Sequence, residues 1–117
     1  MSIFSINTPL NGEYMVTVRL TVGGLCALAG FDVDSAEDYK VCVTESLLIL
    51  QRNGFSSAAI KFTVGETLSC ELVGEGEGKP VPTAEEDISY ALLSALLGKV
   101  DYVKDGAGKV LAIRFEG

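Results

Sequence analysis

The chain predicts an α+β fold, a two-layer α/β sandwich whose mostly antiparallel sheet carries its helices on one face. Three observations lead there. Strand-like segments come in pairs between helical ones, in the order β-α-α-β-β-α-β-β, rather than in the strict alternation of a parallel sheet. Two strand pairs are joined by short turn-forming sequences, Gly65-Glu66 and Asp105-Gly106-Ala107-Gly108, which read as hairpins. The helical segments place apolar residues three and four apart, so each has one face to bury.

Met1 to Ile6 alternates enough for a short strand, ended by Asn7 to Gly12. Tyr14 to Ala29 sets Met15, Val18, Val22, Leu25, Cys26 and Ala29 on one helical stripe, and Gly30 closes it. Asp34 with Glu37 has capping-box spacing for a second helix running to about Arg52, where Asn53-Gly54 stops it. Ala58 to Val64 and Thr67 to Val73 form the first hairpin, and Gly74 to Pro82 a loop. Thr83 and Glu86 repeat the capping-box spacing and open a third helix to Leu97. Lys99 to Lys104 and Lys109 to Phe115 form the second hairpin.

With 117 residues the chain makes one domain, long enough to bury roughly 65% of the surface it exposes unfolded, without disulfides or a structural metal. Its apolar fraction is 48% and its mean hydropathy +0.34. Even so, the apolar runs Leu47 to Leu50 and Ala91 to Leu97 fall far short of the ~20 residues of a membrane span. Met1 to Leu10 lacks a basic region followed by an apolar run, so no signal peptide and a cytoplasmic location are expected. Cys26, Cys42 and Cys70 are widely spaced and the chain has no histidine, which puts the usual zinc ligand sets out of reach; they read as buried small hydrophobes. The formal charge is −7, from 16 acidic and 9 scattered basic residues. Phosphate-backbone binding is excluded on that balance, and a basic protein partner is compatible with it.

The second helix carries the most informative pair. Glu45 is a catalytic-looking carboxylate, and one turn on, about 40° away around the axis, stands Ile49, so the two are expected to look into the same space. The runs Val18-Arg19-Leu20-Thr21-Val22, Gly30-Phe31 and Ala36 to Ser46, with Leu96-Leu97-Gly98-Lys99-Val100-Asp101-Tyr102, resemble the bacterial anti-sigma-factor serine kinases. These belong to the histidine-kinase-like (GHKL) ATPase superfamily, whose Bergerat-type fold has the element order given above. The resemblance covers about Met15 to Phe115.

The resemblance implies a nucleotide site, and this chain departs from it at three places. In the family's Glu-x-x-x-Asn motif, Glu polarises the attacking hydroxyl and Asn holds Mg²⁺; Glu45 matches, but the Asn position is Ile49. Hydrocarbon cannot coordinate a cation that requires oxygen. Asn53 lies eight residues beyond Glu45, about 80° round the helix, and does not restore it. The adenine-reading Asp-x-Gly-x-Gly corresponds to Gly74-Glu75-Gly76-Glu77-Gly78, which keeps the glycines Gly76 and Gly78 and lacks the Asp at Gly74. A charge-assisted hydrogen bond is worth ~1.5–3 kcal/mol, roughly tenfold to a hundredfold in affinity. The phosphate-approaching Gly-x-Gly corresponds to Asp87-Ile88-Ser89, where Asp87 would repel the triphosphate.

All three departures weaken nucleotide binding. The expected function is therefore that of a regulatory protein similar to an anti-sigma factor, acting through protein–protein contacts, with Glu45 vestigial and no ATP or Mg²⁺ cofactor. The resemblance implies a sigma factor or an antagonist protein as partner, and a homodimer. Two alternatives stand beside it: an active ATP-dependent serine/threonine kinase with Glu45 as base, and a structural or oligomerisation subunit of a signalling complex. On the bland reading of the same residues, Glu75 to Gly78 is a flexible turn, Leu47 to Leu50 fill the core, Tyr90 and Tyr102 are packing aromatics, and Ala91 to Leu97 is core.

Overall fold

The computed structural model describes residues 1–78, 80 and 86–117. Strand β1 (Ser2–Pro9) leads into α1 (Gly12–Leu28) and α2 (Val33–Arg52), and the hairpin β2 (Ser57–Val64) and β3 (Leu68–Glu75) follows. Then come α3 (Glu86–Leu97) and the hairpin β4 (Asp101–Lys104) and β5 (Val110–Glu116). The strands pair antiparallel in the order β1-β2-β3-β5-β4. The described residues thus form an α+β fold with a five-stranded antiparallel sheet and three helices.

Alternation along the strands decides which face is buried. The registers Ile60↔Leu72↔Ile113 and Phe62↔Cys70↔Phe115 stack apolar side chains in rows across three strands, and all six are buried. Onto them packs α2, through Tyr39, Cys42, Val43, Leu47, Ile49 and Leu50. Each fully buried aliphatic or aromatic side chain contributes ~1.5–3 kcal/mol, so this seam is the main stabilising contact. The stripe Met15, Val18, Val22, Leu25 and Cys26 buries α1 against α2.

The opposite sheet face carries a row of alternating charge. Lys61, Glu71, Arg114 and Asp101 stand side by side on β2, β3, β5 and β4, with Arg114 Nε 2.8 Å from Glu71 Oε2. Cross-strand pairs of opposite sign favour this register by ~0.2–1 kcal/mol each and keep the face in water.

Both long helices end as their sequences predict. Gly30 at φ +80° and Gly54 at φ +95° adopt the left-handed conformation that glycine enters without strain. Phe31 N–H then donates to Cys26 O and Phe55 N–H to Leu50 O, closing Schellman motifs. The start of α2 differs from expectation. Its cap is Asp32, whose carboxylate accepts from Ser35 N–H at 2.7 Å, and not Asp34. The turn at Gly30 leaves Asp32 extended (φ −75°, ψ 174°), the conformation a cap requires, and Asp34 becomes a first-turn acid facing the helix dipole. Strand β1 also runs three residues past the predicted Ile6, because Asn7, Thr8 and Pro9 find register partners in Ala59, Ala58 and Ser57. The capping box expected at Thr83 lies outside the described residues.

A further correction concerns Ala91 to Leu97. Only Leu93 of that run is fully buried; Leu92 and Leu97 are half-buried, and Ala91, Ala95 and Leu96 are exposed. The helix lies at the margin of the core, so an apolar sequence is not matched by an apolar environment on every side. Tyr90 and Tyr102 do pack together, edge to face at 5.2 Å, tying α3 to β4. Among the described residues no helix is long and apolar enough to cross a membrane.

The three cysteines are buried and free. Burial pushes the Cys42 thiol up to about 12, with Asp38 and Glu45 adding to it. It also raises Cys26, against the pull of Lys40, and raises Cys70 well above the ordinary range. Beside them Tyr39 is buried, its hydroxyl donating to Leu68 O at 2.9 Å and its ring packed edge-on against Phe31 and Phe115. A raised thiol pKa removes the reactive thiolate at neutral pH. Ellman's reagent is therefore expected to titrate none of the three thiols in the native protein at pH 7–8, and all three once denaturant is added. A second expectation concerns the charged row: Glu71→Lys, setting three cations side by side, lowers stability by about 1 kcal/mol in urea titrations, and added salt reduces the loss.

Candidate functional site

Glu45 sits on the half-buried flank of α2 that meets α3, and a buried polar cluster is built around it. Glu45 and Arg52 are seven residues apart, two helical turns along one face. Between them α3 inserts Ser89, which is fully buried. Its hydroxyl donates to Glu45 Oε2 at 2.6 Å and accepts from Arg52 Nη1 at 2.7 Å. A neutral hydroxyl thus links an acid and a base and is satisfied in both directions, which a buried polar group requires.

Ile49, one turn from Glu45, does not share an open space with it. Its side chain has no exposed surface and belongs to the hydrophobic core. The 40° between the two positions is enough to leave one half-buried against α3 and the other sealed in the core. Asn53 is the C-cap of α2, and its side chain clamps two segments. Nδ2 donates to Ile49 O at 2.7 Å, and Oδ1 accepts from Val110 N–H at 3.0 Å.

The glycine segment is also structurally accounted for. Gly74 is not in a loop; it pairs with Ala58 inside β3, and a Cβ there would overlap the Phe55 ring. At Gly76 (φ +72°) a Cβ would strike Ser56 Oγ, and at Gly78 it would press on Phe55 O at 3.2 Å. Gly78 N–H donates to Gly54 O at 2.7 Å and Ser56 N–H to Glu75 O at 3.1 Å. Glu75 to Gly78 is therefore held against Gly54 to Ser56 rather than free, and Lys109 Nζ lies 4.4 Å over the Phe55 ring that Gly74 admits. Asp87 is exposed in the first turn of α3, where a carboxylate complements the helix dipole.

The structure brings Glu45 and Ile49 to adjacent but separate environments, gathers Gly74, Gly76 and Gly78 against Phe55, and leaves Asp87 at the surface. Sequence reasoning missed Ser89 and Arg52. The signal available was slight: an arginine seven residues after Glu45 on the same face. A Mg²⁺ ion does not fit the residues present. Ile49 offers no oxygen and is sealed in the core, and Glu45 Oε2 is already engaged by Ser89. Among the described residues no cluster of three or more histidine, cysteine, aspartate or glutamate side chains could hold a metal ion. A cleft of about 460 Å³ lies elsewhere, on the charged sheet face beside Lys61, Ser69, Glu71, Lys99 and Arg114. None of the residues expected to form a site lines it.

Comparison of the chain with protein-family models and with curated proteins returns no match.

The serine bridge makes a specific prediction. Ser89→Ala leaves the carboxylate and the guanidinium facing a methyl group, at an expected cost of about 1–2 kcal/mol. Urea titration reads it, and a double-mutant cycle with Glu45→Gln gives a non-zero coupling energy that a surface serine would not.

Proposed function

We propose that the protein is a regulator that works by binding other proteins, similar in fold to the anti-sigma-factor kinases but without their nucleotide chemistry. One observation carries the reading: the carboxylate that would polarise a hydroxyl is instead bonded to Ser89 of α3, while the residue that would hold the metal is an isoleucine in the core. A general base needs its oxygen within reach of a substrate proton. Here that oxygen is directed into a helix–helix contact.

The contacts at the other two positions support the same reading. Gly74, Gly76 and Gly78 are explained by close approach of Phe55 and Ser56, so their presence does not require a bound nucleotide. At Asp87 a carboxylate occupies the first turn of α3, where an anionic phosphate would need a neutral or cationic surface. The partner that fits the resemblance is a sigma factor or its antagonist protein. Surface recognition depends on shape and a few anchoring side chains, so it survives the loss of a metal site.

Calorimetric titration of the purified chain with ATP and Mg²⁺ tests this. No saturable heat is expected, and no transfer of γ-phosphate to a serine-containing antagonist. Micromolar, metal-dependent binding would reject the proposal in favour of an active kinase. Recovery of a sigma factor or antagonist with the tagged chain, undiminished by Glu45→Gln, is the positive expectation.

A further inference from the structure

We propose that the cleft on the charged sheet face binds a free α-amino acid, held by the backbone of Glu116 at the place where β4 stops short beside β5. The site is separate from Glu45 and does not rest on the functional reading above.

Backbone alternation along β5 locates it. Residues opposite one another in an antiparallel ladder either exchange both of their backbone bonds or turn N–H and C=O to the outer flanks, and the two kinds alternate. Gly117 N–H donates to Leu68 O at 3.0 Å and Leu68 N–H to Gly117 O at 3.3 Å. Gly117 therefore faces β3, and Glu116, one residue back, turns its N–H and C=O the other way. On that flank β4 pairs only as far as Asp101↔Arg114. By register the next rung, opposite Glu116, belongs to Lys99. The chain is turned aside before it can form: Gly98 ends α3 at φ +77°, its N–H on Ser94 O at 3.0 Å, and β4 begins only at Asp101. One donor and one acceptor are left at a missing rung.

The cleft of about 460 Å³ opens there, lined by Leu97, Lys99 and Asp101 together with Arg114, Phe115 and Glu116. Its size is that of a small-molecule site. An occupant that completes the rung must accept from Glu116 N–H and donate to Glu116 C=O within the length of one residue. A carboxylate and an ammonium on the same carbon do both. A longer peptide gains little, because the neighbouring outward residue, Arg114, already has Asp101 as its partner.

Charge selects the same class. The cleft gathers Lys61, Lys99 and Arg114 with Glu71, Asp101 and Glu116, an even balance in a chain of net charge −7. Two of the acids are already engaged: Glu71 Oε2 lies 2.8 Å from Arg114 Nε, and Glu116 Oε2 accepts from the Ser69 hydroxyl at 3.0 Å. Among the described residues the side chains of Lys61, Lys99 and Asp101 have neither an ion pair nor a hydrogen bond. A simple anion would leave Asp101 opposed to it, and a simple cation the two lysines. A ligand carrying both signs finds a partner for each. Lys99, displaced from the rung and exposed at its side, supplies the second contact to the carboxylate.

Nuclear magnetic resonance titration of the full chain with each of the standard L-amino acids is the test. At least one is expected to shift the Glu116 amide saturably at millimolar concentration or below. Its N-acetyl and its methyl ester forms should each bind at least ~tenfold more weakly, since each loses a charge-assisted hydrogen bond. Lys99→Glu, at an exposed position, should cost a similar factor. Glu116→Pro removes an N–H that β3 does not use, and proline is tolerated on such a flank, so the fold, checked by circular dichroism and urea midpoint, is expected to persist while binding is lost. Glu116→Ala keeps the N–H and should keep the affinity. No saturable shift with any amino acid, equal binding of the blocked forms, indifference to Lys99→Glu, or equal binding by a folded Glu116→Pro variant and Glu116→Ala would each overturn the proposal. The blocked ligands and Lys99→Glu decide it without the proline variant if that chain does not fold.

Discussion

The fold depends on the last turn of α2 and the two residues after it, where four consecutive positions are each bonded to a different part of the chain. Gln51 Nε2 donates to Leu10 O, at the junction of β1 and α1. Arg52 reaches Ser89 of α3, Asn53 accepts from Val110 at the start of β5, and Gly54 O accepts from Gly78 after β3. A helix C-terminus leaves carbonyls unsatisfied, and here the Schellman turn answers them locally. The side chains are then free to serve as tertiary ties. Bonds to neutral groups are worth ~1 kcal/mol each and those to charged groups somewhat more, less than the apolar seam contributes. Their role is to fix where the seam's neighbours sit.

That constraint explains why residues with an enzymatic look serve a structural purpose. Glycine is selected wherever backbone must approach something closely, whether a phosphate or a phenyl ring. Gly74 and Gly76 approach Phe55 and Ser56, which α2 delivers directly after its terminal turn. The same holds for Glu45. A half-buried carboxylate on a helix needs a donor, and α3 supplies one in Ser89 at 2.6 Å. Residue type and spacing are shared by both uses; only the identity of the neighbour separates them.

This sets the limit of what the sequence discloses. Helices α1 and α2 and both hairpins were legible because their signals are local: a three-and-four apolar period, Gly30 and Asn53-Gly54 as stops, and Asp105, whose side chain accepts from Ala107 and Lys109 N–H to shape the second hairpin turn. Features that depend on a distant partner were not. The extension of β1 through Thr8 and Pro9 requires β2 beside it, and the choice of Asp32 over Asp34 as cap requires knowing where the chain leaves the Gly30 turn. The exposure of Leu96 requires knowing that α3 lies at the margin. Ser89 was the most hidden, since a lone serine in an apolar helix has no periodic signature, and its importance comes from residues 37 and 44 positions away.

Satisfied and unsatisfied groups are distributed unevenly over the molecule. Inside the helix layer, Glu45, Ser89, Asn53 and Tyr39 are paired with other parts of the same chain. Reaction chemistry needs a group held in readiness for a substrate, and these are held for one another. Unsatisfied surface is found outside, as exposed leucines on α1 and an uncharged strand edge at β1. Glu45, Ser89, Asn53 and Tyr39 are thus closed on their own chain, while Val16, Leu20 and Leu28 stay exposed on α1. The net charge of −7 arises outside Ser2 to Leu28, where Glu13 and Arg19 cancel, so that side meets water with little charge of its own.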